Sequence, residues 1–124
     1  MDGFRLIRYA ADGAVARITL VRPPLNILTI EMMDEIGAAL ERIATQPKLK
    51  ALLIDAEGKA FSAGVAIEDH LGDRVKPMLD SFHRIFRRMR ALDCVTVAAV
   101  QGAALGGGAE LATFCDVVVA SEDA

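Results

Sequence analysis

The chain has 124 residues, 53% of them hydrophobic, and carries a net charge of -3. That balance gives no basis for a nucleic-acid or anionic-membrane partner, and no apolar run reaches the roughly 18 residues of a membrane span. One domain's worth of chain this apolar has a poor ratio of surface to volume, so a covering partner is expected: more chain, another subunit, or both.

The start, Met1-Asp-Gly-Phe-Arg5, has no signal-peptide pattern. Cys94 and Cys115 stand alone, without metal-ligand spacing. They read as reduced, partly buried thiols of a cytoplasmic protein with no metal site.

Phe4 to Ala10 alternates loosely, Asp12-Gly13 signals a hairpin turn, and Val15 to Val21 reads as a second strand. Arg22-Pro-Pro24 ends it, since proline removes a ladder donor. Thr29 is an N-cap for a helix over Ile30 to Ala44, with Ile30, Met33, Ile36, Leu40 and Ile43 at helical spacing. Gln46-Pro47 terminates it. Ala51 to Ala56 is a buried strand, Glu57-Gly58-Lys59 a loop, and Phe61-Ser-Ala-Gly64 a glycine-bearing turn.

A second helix is expected from Asp73 or Arg74 to Ala91. Met78, Leu79, Phe82, Ile85, Phe86, Met89 and Leu92 line one face, and Arg84, Arg87, Arg88 and Arg90 form a solvated or subunit-facing surface. Thr96 to Val100 is the next strand. Gly102-Ala-Ala-Leu-Gly-Gly-Gly-Ala-Glu110 opens a short helix through Phe114, and Asp116 to Ala120 is the last strand. The order β-β-α-β-α-β-α-β puts a glycine turn after each of two strands.

Three consecutive glycines between a strand and a helix let backbone come close to a ligand. The helix start adds unpaired N–H groups and a positive dipole end, with Glu110 in the first turn. Donors converging beside an acid/base group suit a developing oxyanion. The dinucleotide fingerprint fails at Ala104, and the phosphate-loop pattern fails at Gly108 and Ala109, where lysine and a hydroxyl residue belong.

Val15 to Asn26, Ala60-Phe-Ser-Ala-Gly-Val65, Thr96 to Gly102, Leu105-Gly-Gly-Gly-Ala-Glu-Leu111 and Cys115-Asp116, taken together, resemble the crotonase (enoyl-CoA hydratase/isomerase) superfamily. The resemblance implies an α/β crotonase-like ββα spiral fold, of which residues 1–124 would be the N-terminal part of one core domain. It implies backbone N–H donors at Val65 and Gly107 that hold the thioester oxygen of an acyl-CoA, with Glu110 as the acid/base group. Ala63, Gly64, Gly106, Lys59 and His70 are further candidates for contact with the substrate, and Pro24-Leu-Asn26 for an adenine-side wall. Coenzyme A is then part of the substrate, and no separate cofactor is expected. The resemblance also implies a homo-trimer or homo-hexamer.

Two features depart from the family pattern. The second acid/base glutamate normally lies in a Pro-Glu segment beyond the strand at Asp116 to Ala120, past Ala124, and Ala66 stands where many members carry an acid. Within the superfamily, Pro24 to Leu28, Phe61 to Val65, Asp69-His70 and Phe82 to Arg88 are most similar to hydratases of cyclic dienoyl-CoA thioesters, which act in anaerobic aromatic degradation. The expected activity is addition of water to an enoyl- or cyclic dienoyl-CoA through an enolate. An enoyl-CoA isomerase and a non-catalytic acyl-CoA binder are the alternatives. His83 is expected to be structural. Ala60-Phe-Ser-Ala-Gly64 also approximates a serine-hydrolase elbow with Ser62 as nucleophile, though no triad order follows it.

Overall fold

A computed structural model describes residues 3–124. Strand β1 (Ile7–Asp12) and strand β2 (Val15–Leu20) pair antiparallel through a two-residue turn, with Asp12 opposite Val15. Helix α1 (Ile30–Ile43) carries the chain over to β3 (Ala51–Ala56), which runs parallel to β2. Helix α2 (Val75–Ala91) leads to β4 (Val95–Val100), and helix α3 (Gly107–Phe114) leads to β5 (Val117–Ala120). The sheet order is β1-β2-β3-β4-β5, and every pairing after the hairpin is parallel. Parallel neighbours need crossover connections, and the three helices supply them.

Thr29 caps α1 as expected: its hydroxyl accepts from Met32 N–H at 3.2 Å. The buried stripe Met32, Met33, Ile36, Leu40 and Ile43 packs on Ile18, Leu20, Leu52 and Ile54 of the sheet. Burying such side chains is worth about 2 kcal/mol each, which makes this layer the main source of stability. Helix α2 adds Met78, Phe82, Ile85 and Met89 to the same core.

Several boundaries differ from the sequence reading. Strand β1 starts at Ile7 and runs to Asp12, because the tight turn lets the ladder continue to its last pair. Helix α2 starts at Val75, and two 3-10 turns, Ile67–His70 and Gly72–Arg74, occupy the preceding segment. The α2 arginines are not one solvated surface. Arg84 pairs with Asp34 at 3.7 Å and Arg88 with Glu41 at 3.3 Å, so these two stitch α2 to α1 while Arg87 and Arg90 stay exposed.

Part of the exposed apolar surface is contiguous, and the rest is scattered over residues such as Ile67, Leu71 and Leu105. Val117, Val118 and Val119 of the edge strand β5 are 46%, 45% and 60% exposed, and Phe114 is 44% exposed just before them. Among the described residues, no helix is long and apolar enough to cross a membrane.

Candidate functional site

Open parallel sheets bind ligands outside the carboxyl ends of their strands. Both glycine-bearing turns lie there, residues 57–66 after β3 and residues 101–106 after β4. Backbone pairing laces them together: Phe61 N–H donates to Gln101 O at 2.8 Å, Ser62 N–H to Ala103 O at 3.1 Å, and Leu105 N–H to Ser62 O at 3.0 Å. The Gln101 side chain reaches back to Ala56 O and Gly58 O at 2.8 and 2.9 Å.

Small residues make this approach possible. A Cβ on Gly108 would fall 2.2 Å from the Ser62 carbonyl oxygen, and one on Gly102 would fall 1.9 Å from that of Lys59. A Cβ on Gly107 would lie 2.8 Å from Val65 Cγ2 and 3.2 Å from the Phe82 ring. The two turns therefore touch at Val65 and Gly107.

The opposite flank of residues 60–66 is held by the segment after β2. Ala63 N–H donates to Leu25 O at 2.9 Å, Leu28 N–H to Gly64 O at 2.8 Å, and Ala66 N–H to Leu28 O at 3.0 Å. Asn26 is fully buried and bonds three ways: Oδ1 accepts from Arg22 N–H at 2.7 Å, and Nδ2 donates to Glu57 O and Ala60 O at 2.8 Å each. The sequence reading of Pro24-Leu-Asn26 as a ligand wall is thus corrected at Asn26. Its amide is consumed in holding the turn, and Pro24 and Leu25 are the exposed members.

These bonds set the direction of two N–H groups. The C=O and N–H of a trans peptide point in opposite directions, and the one cis bond among the described residues is Pro23-Pro24. The Gly64 carbonyl points at Leu28, so the Val65 N–H points the other way, out of the ladder. The Gly106 carbonyl accepts from Glu110 N–H at 3.0 Å along α3, so the Gly107 N–H points out of the helix N-terminus. Gly106 has φ +52° and Gly64 φ +118°, values that favour glycine at both turns.

Glu110 is exposed on the first turn of α3, beyond Gly107. It lines a hollow of about 380 Å³ with Phe86, Thr113 and Phe114. Phe82, Phe86 and Phe114 form an edge-to-face ladder with centroid spacings of 4.8 and 4.9 Å, running from Gly107 to this hollow. Periodicity alone assigned Phe82 and Phe86 to the core, and no sequence signal marked them as a wall of the site. Phe114 closes the ladder only because α3 folds back beside α2.

Of the remaining candidates, Ala63 and Gly64 lie inside the laced segment, and Lys59 is exposed in the loop leading into it. His70 is exposed on the 3-10 turn after Val65, where its Nδ1–H donates to Ala66 O at 2.9 Å. Asp69, by contrast, is buried: Oδ2 accepts from Ile30 N–H at 3.2 Å, and Oδ1 accepts two bonds from Arg74 at 3.1 Å. Ala66 is buried too. His83 is exposed on α2, its ring 6.1 Å from that of Phe82.

The serine-hydrolase alternative fails on geometry. Ser62 is fully buried, its Oγ accepting from Gly64 N–H at 3.3 Å, whereas a nucleophile elbow must present an exposed hydroxyl. Cys115 is also an unsuitable nucleophile, since burial pushes its thiol up to about 11 and its Sγ sits 3.6 Å from Leu111 O. No group of three or more metal-ligating side chains occurs among the described residues.

Comparison with known proteins agrees with this architecture. The chain is 36% identical over 113 residues to cyclohexa-1,5-dienecarbonyl-CoA hydratase of Thauera aromatica, covering 91% of this chain and 44% of that protein. It is 40% identical over 115 residues to a probable enoyl-CoA hydratase of Rhizobium meliloti, covering 91% of this chain and 45% of that one. A crystal structure of an enoyl-CoA hydratase/isomerase from Xanthobacter autotrophicus Py2 superposes with a TM-score of 0.87 at 36% identity, over 98% of this chain and 48% of that one. The chain thus spans about half the length of the relatives it matches. Residues 10–124 match the enoyl-CoA hydratase/isomerase family, and the chain belongs to that family, with its crotonase-type α/β fold.

Proposed function

We propose that this chain supplies the thioester-binding and acid/base elements of an acyl-CoA hydratase, a lyase that adds water to an enoyl- or cyclic dienoyl-CoA. The observation that carries the reading is the pair of outward N–H groups, Val65 and Gly107, on turns that touch one another. Each shares its peptide unit with a carbonyl already engaged elsewhere, so each donor is aimed before any ligand arrives. Preorganised donors of this kind stabilise an oxyanion by about 3 kcal/mol apiece.

In this mechanism the thioester oxygen rests between the two donors. Water loses a proton to the Glu110 carboxylate while its oxygen bonds to the β-carbon. The electron pair of the double bond moves toward the thioester oxygen and gives an enolate held by Val65 and Gly107. The enolate collapses as its α-carbon takes that proton back from the Glu110 carboxyl, which regenerates the thioester and the carboxylate and leaves the hydroxyacyl-CoA. Gly107 lets the Val65 and Phe82 side chains close up against the donor turn, and the ladder of Phe82, Phe86 and Phe114 offers the acyl chain an apolar wall. Coenzyme A enters as part of the substrate, and no further cofactor is called for. The cyclic dienoyl substrate is suggested by the relative from Thauera aromatica, whose name carries it.

Hydration of crotonyl-CoA and of cyclohexa-1,5-dienecarbonyl-CoA, followed by loss of enoyl absorbance, tests the proposal. Glu110→Gln is expected to lower kcat by about 100-fold or more, the scale of acid–base catalysis, while acyl-CoA still binds. Near-normal turnover in that variant would remove Glu110 from the mechanism. A second reading has one observation in its favour: among the residues lining the hollow, Glu110 is the single carboxylate. Tight acyl-CoA binding by the wild-type chain without turnover would favour a non-catalytic binder.

A further inference from the structure

The ladder that aims the Val65 donor is short, and it ends in an unusual way. Leu28 N–H donates to Gly64 O, and Ala66 N–H donates back to Leu28 O. A parallel ladder continued by one step would send Ile30 N–H to the Ala66 carbonyl. That carbonyl is taken: Asp69 N–H reaches it at 3.1 Å and His70 Nδ1–H at 2.9 Å, because the chain turns there into the 3-10 segment. The Asp69 carboxylate stands in its place and accepts from Ile30 N–H at 3.2 Å. Ile30 is the first residue of α1, where an N–H has no partner within the helix and a negative charge is favoured. The other carboxylate oxygen is held by Arg74 from the second 3-10 turn. One buried side chain thus joins the oxyanion turn, the start of α1 and the lead-in to α2.

We infer that Asp69 is a positioning residue for the oxyanion hole: it completes the Leu28–Ala66 ladder and so holds the Gly64–Val65 peptide with its N–H aimed at the thioester. The catalytic part of this inference rests on the acyl-CoA reading above; the clamp itself does not. Asp69 touches no substrate. Its effect passes through the backbone of residues 64–66, where a change in peptide tilt would move the Val65 donor.

Two measurements on the 124-residue chain separate these parts. The first is amide hydrogen exchange at Leu28 and Ala66, with Ile18 and Ile54 as reporters of the intact sheet. Asp69→Leu removes the acceptor, and exchange at Leu28 and Ala66 is expected to rise about tenfold or more, with Ile18 and Ile54 unchanged. Asp69→Asn keeps an acceptor for Ile30 N–H and should restore protection to within about threefold of wild type. Ile30→Pro removes the same bond from its donor side. Proline is tolerated at the first position of a helix, and Thr29 before it is already extended at φ -90° and ψ 164°. The double variant should add nothing to either single change. Unchanged protection in both single variants, or additive effects in the double one, would overturn the clamp. Should Asp69→Leu unfold the sheet, Ile30→Pro and Asp69→Asn still decide the matter.

The second measurement is the ¹³C shift of bound [1-¹³C]crotonyl-CoA, which reports polarisation of the thioester carbonyl. Asp69→Leu is expected to lose about half of the binding-induced shift, one donor of two, and Asp69→Asn to recover it. A full shift in Asp69→Leu with Leu28 and Ala66 exposed would refute the link from clamp to donor. No shift in the wild-type chain would refute the acyl-CoA reading while leaving the exchange result to judge the clamp.

Discussion

Two kinds of glycine turn occur in this molecule, and they do different work. The hairpin turn at Gly13 has φ +62°, and a Cβ there would meet nothing within 4 Å. Gly102 has nearly the same backbone, φ +58°, yet a Cβ would collide with the Lys59 carbonyl at 1.9 Å. The hairpin needs glycine for its backbone angle alone. The site needs it so that two loops from different strands can share one small volume. A glycine read from sequence shows that an unusual backbone is allowed. Whether a neighbour also requires it depends on which chain segment comes alongside.

Substitutions should expose this difference. Gly102→Ala is expected to have the largest effect, about 4 kcal/mol, because overpacking against backbone adds to the strain of positive φ. Urea denaturation reads it directly. Asn26→Ala comes next. It strands Arg22 N–H, Glu57 O and Ala60 O inside the protein and places alanine at φ +49°, for about 3 kcal/mol in total. It should also weaken acyl-CoA binding, since the same bonds hold the turn that carries Val65. Gly13→Ala is the smallest change, at about 1 kcal/mol of backbone strain and with no effect on acyl-CoA binding. Equal losses for Gly13→Ala and Gly102→Ala would collapse the distinction between the two turns.

The same contrast explains what could be read in advance. The amphipathic stripe of α1, its Thr29 cap and the turn and proline signals that bound β2 are local patterns, and each element lies within a residue or two of where they place it. The two turns around Val65 and Gly107 were recognisable as glycine-rich segments after strands. Their meeting was implied by the family resemblance and by no local pattern, because residues 65 and 107 come together only when β3 and β4 lie side by side. A turn at Ile67 to His70 is legible in the sequence, but its bond from Arg74 to Asp69 is not, since that pairing has no periodic signature. Asn26 reads from sequence as part of an adenine-side wall and proves to be a buried clamp. Polar residues in loops give no sign of burial until their partners are in place.

The edge strand makes a related point. High hydrophobic content called for a covering partner but gave no address. The fold places one contiguous exposed apolar stretch at Phe114 and Val117 to Val119 of β5 and others at Ile67, Leu71 and Leu105.

By itself, the sequence determined the succession of strands and helices, the two glycine turns, and the likeness to a family of acyl-CoA enzymes, because periodicity, capping and short motifs are properties of neighbouring residues. Only the tertiary structure decided that the Val65 and Gly107 N–H groups point out of their turns, that Phe82, Phe86 and Phe114 form one wall, and that Asp69 is buried with its carboxylate on the Ile30 N–H. Those are facts of orientation and contact between distant segments. They arise from which backbone carbonyls are already engaged, and no local pattern records that.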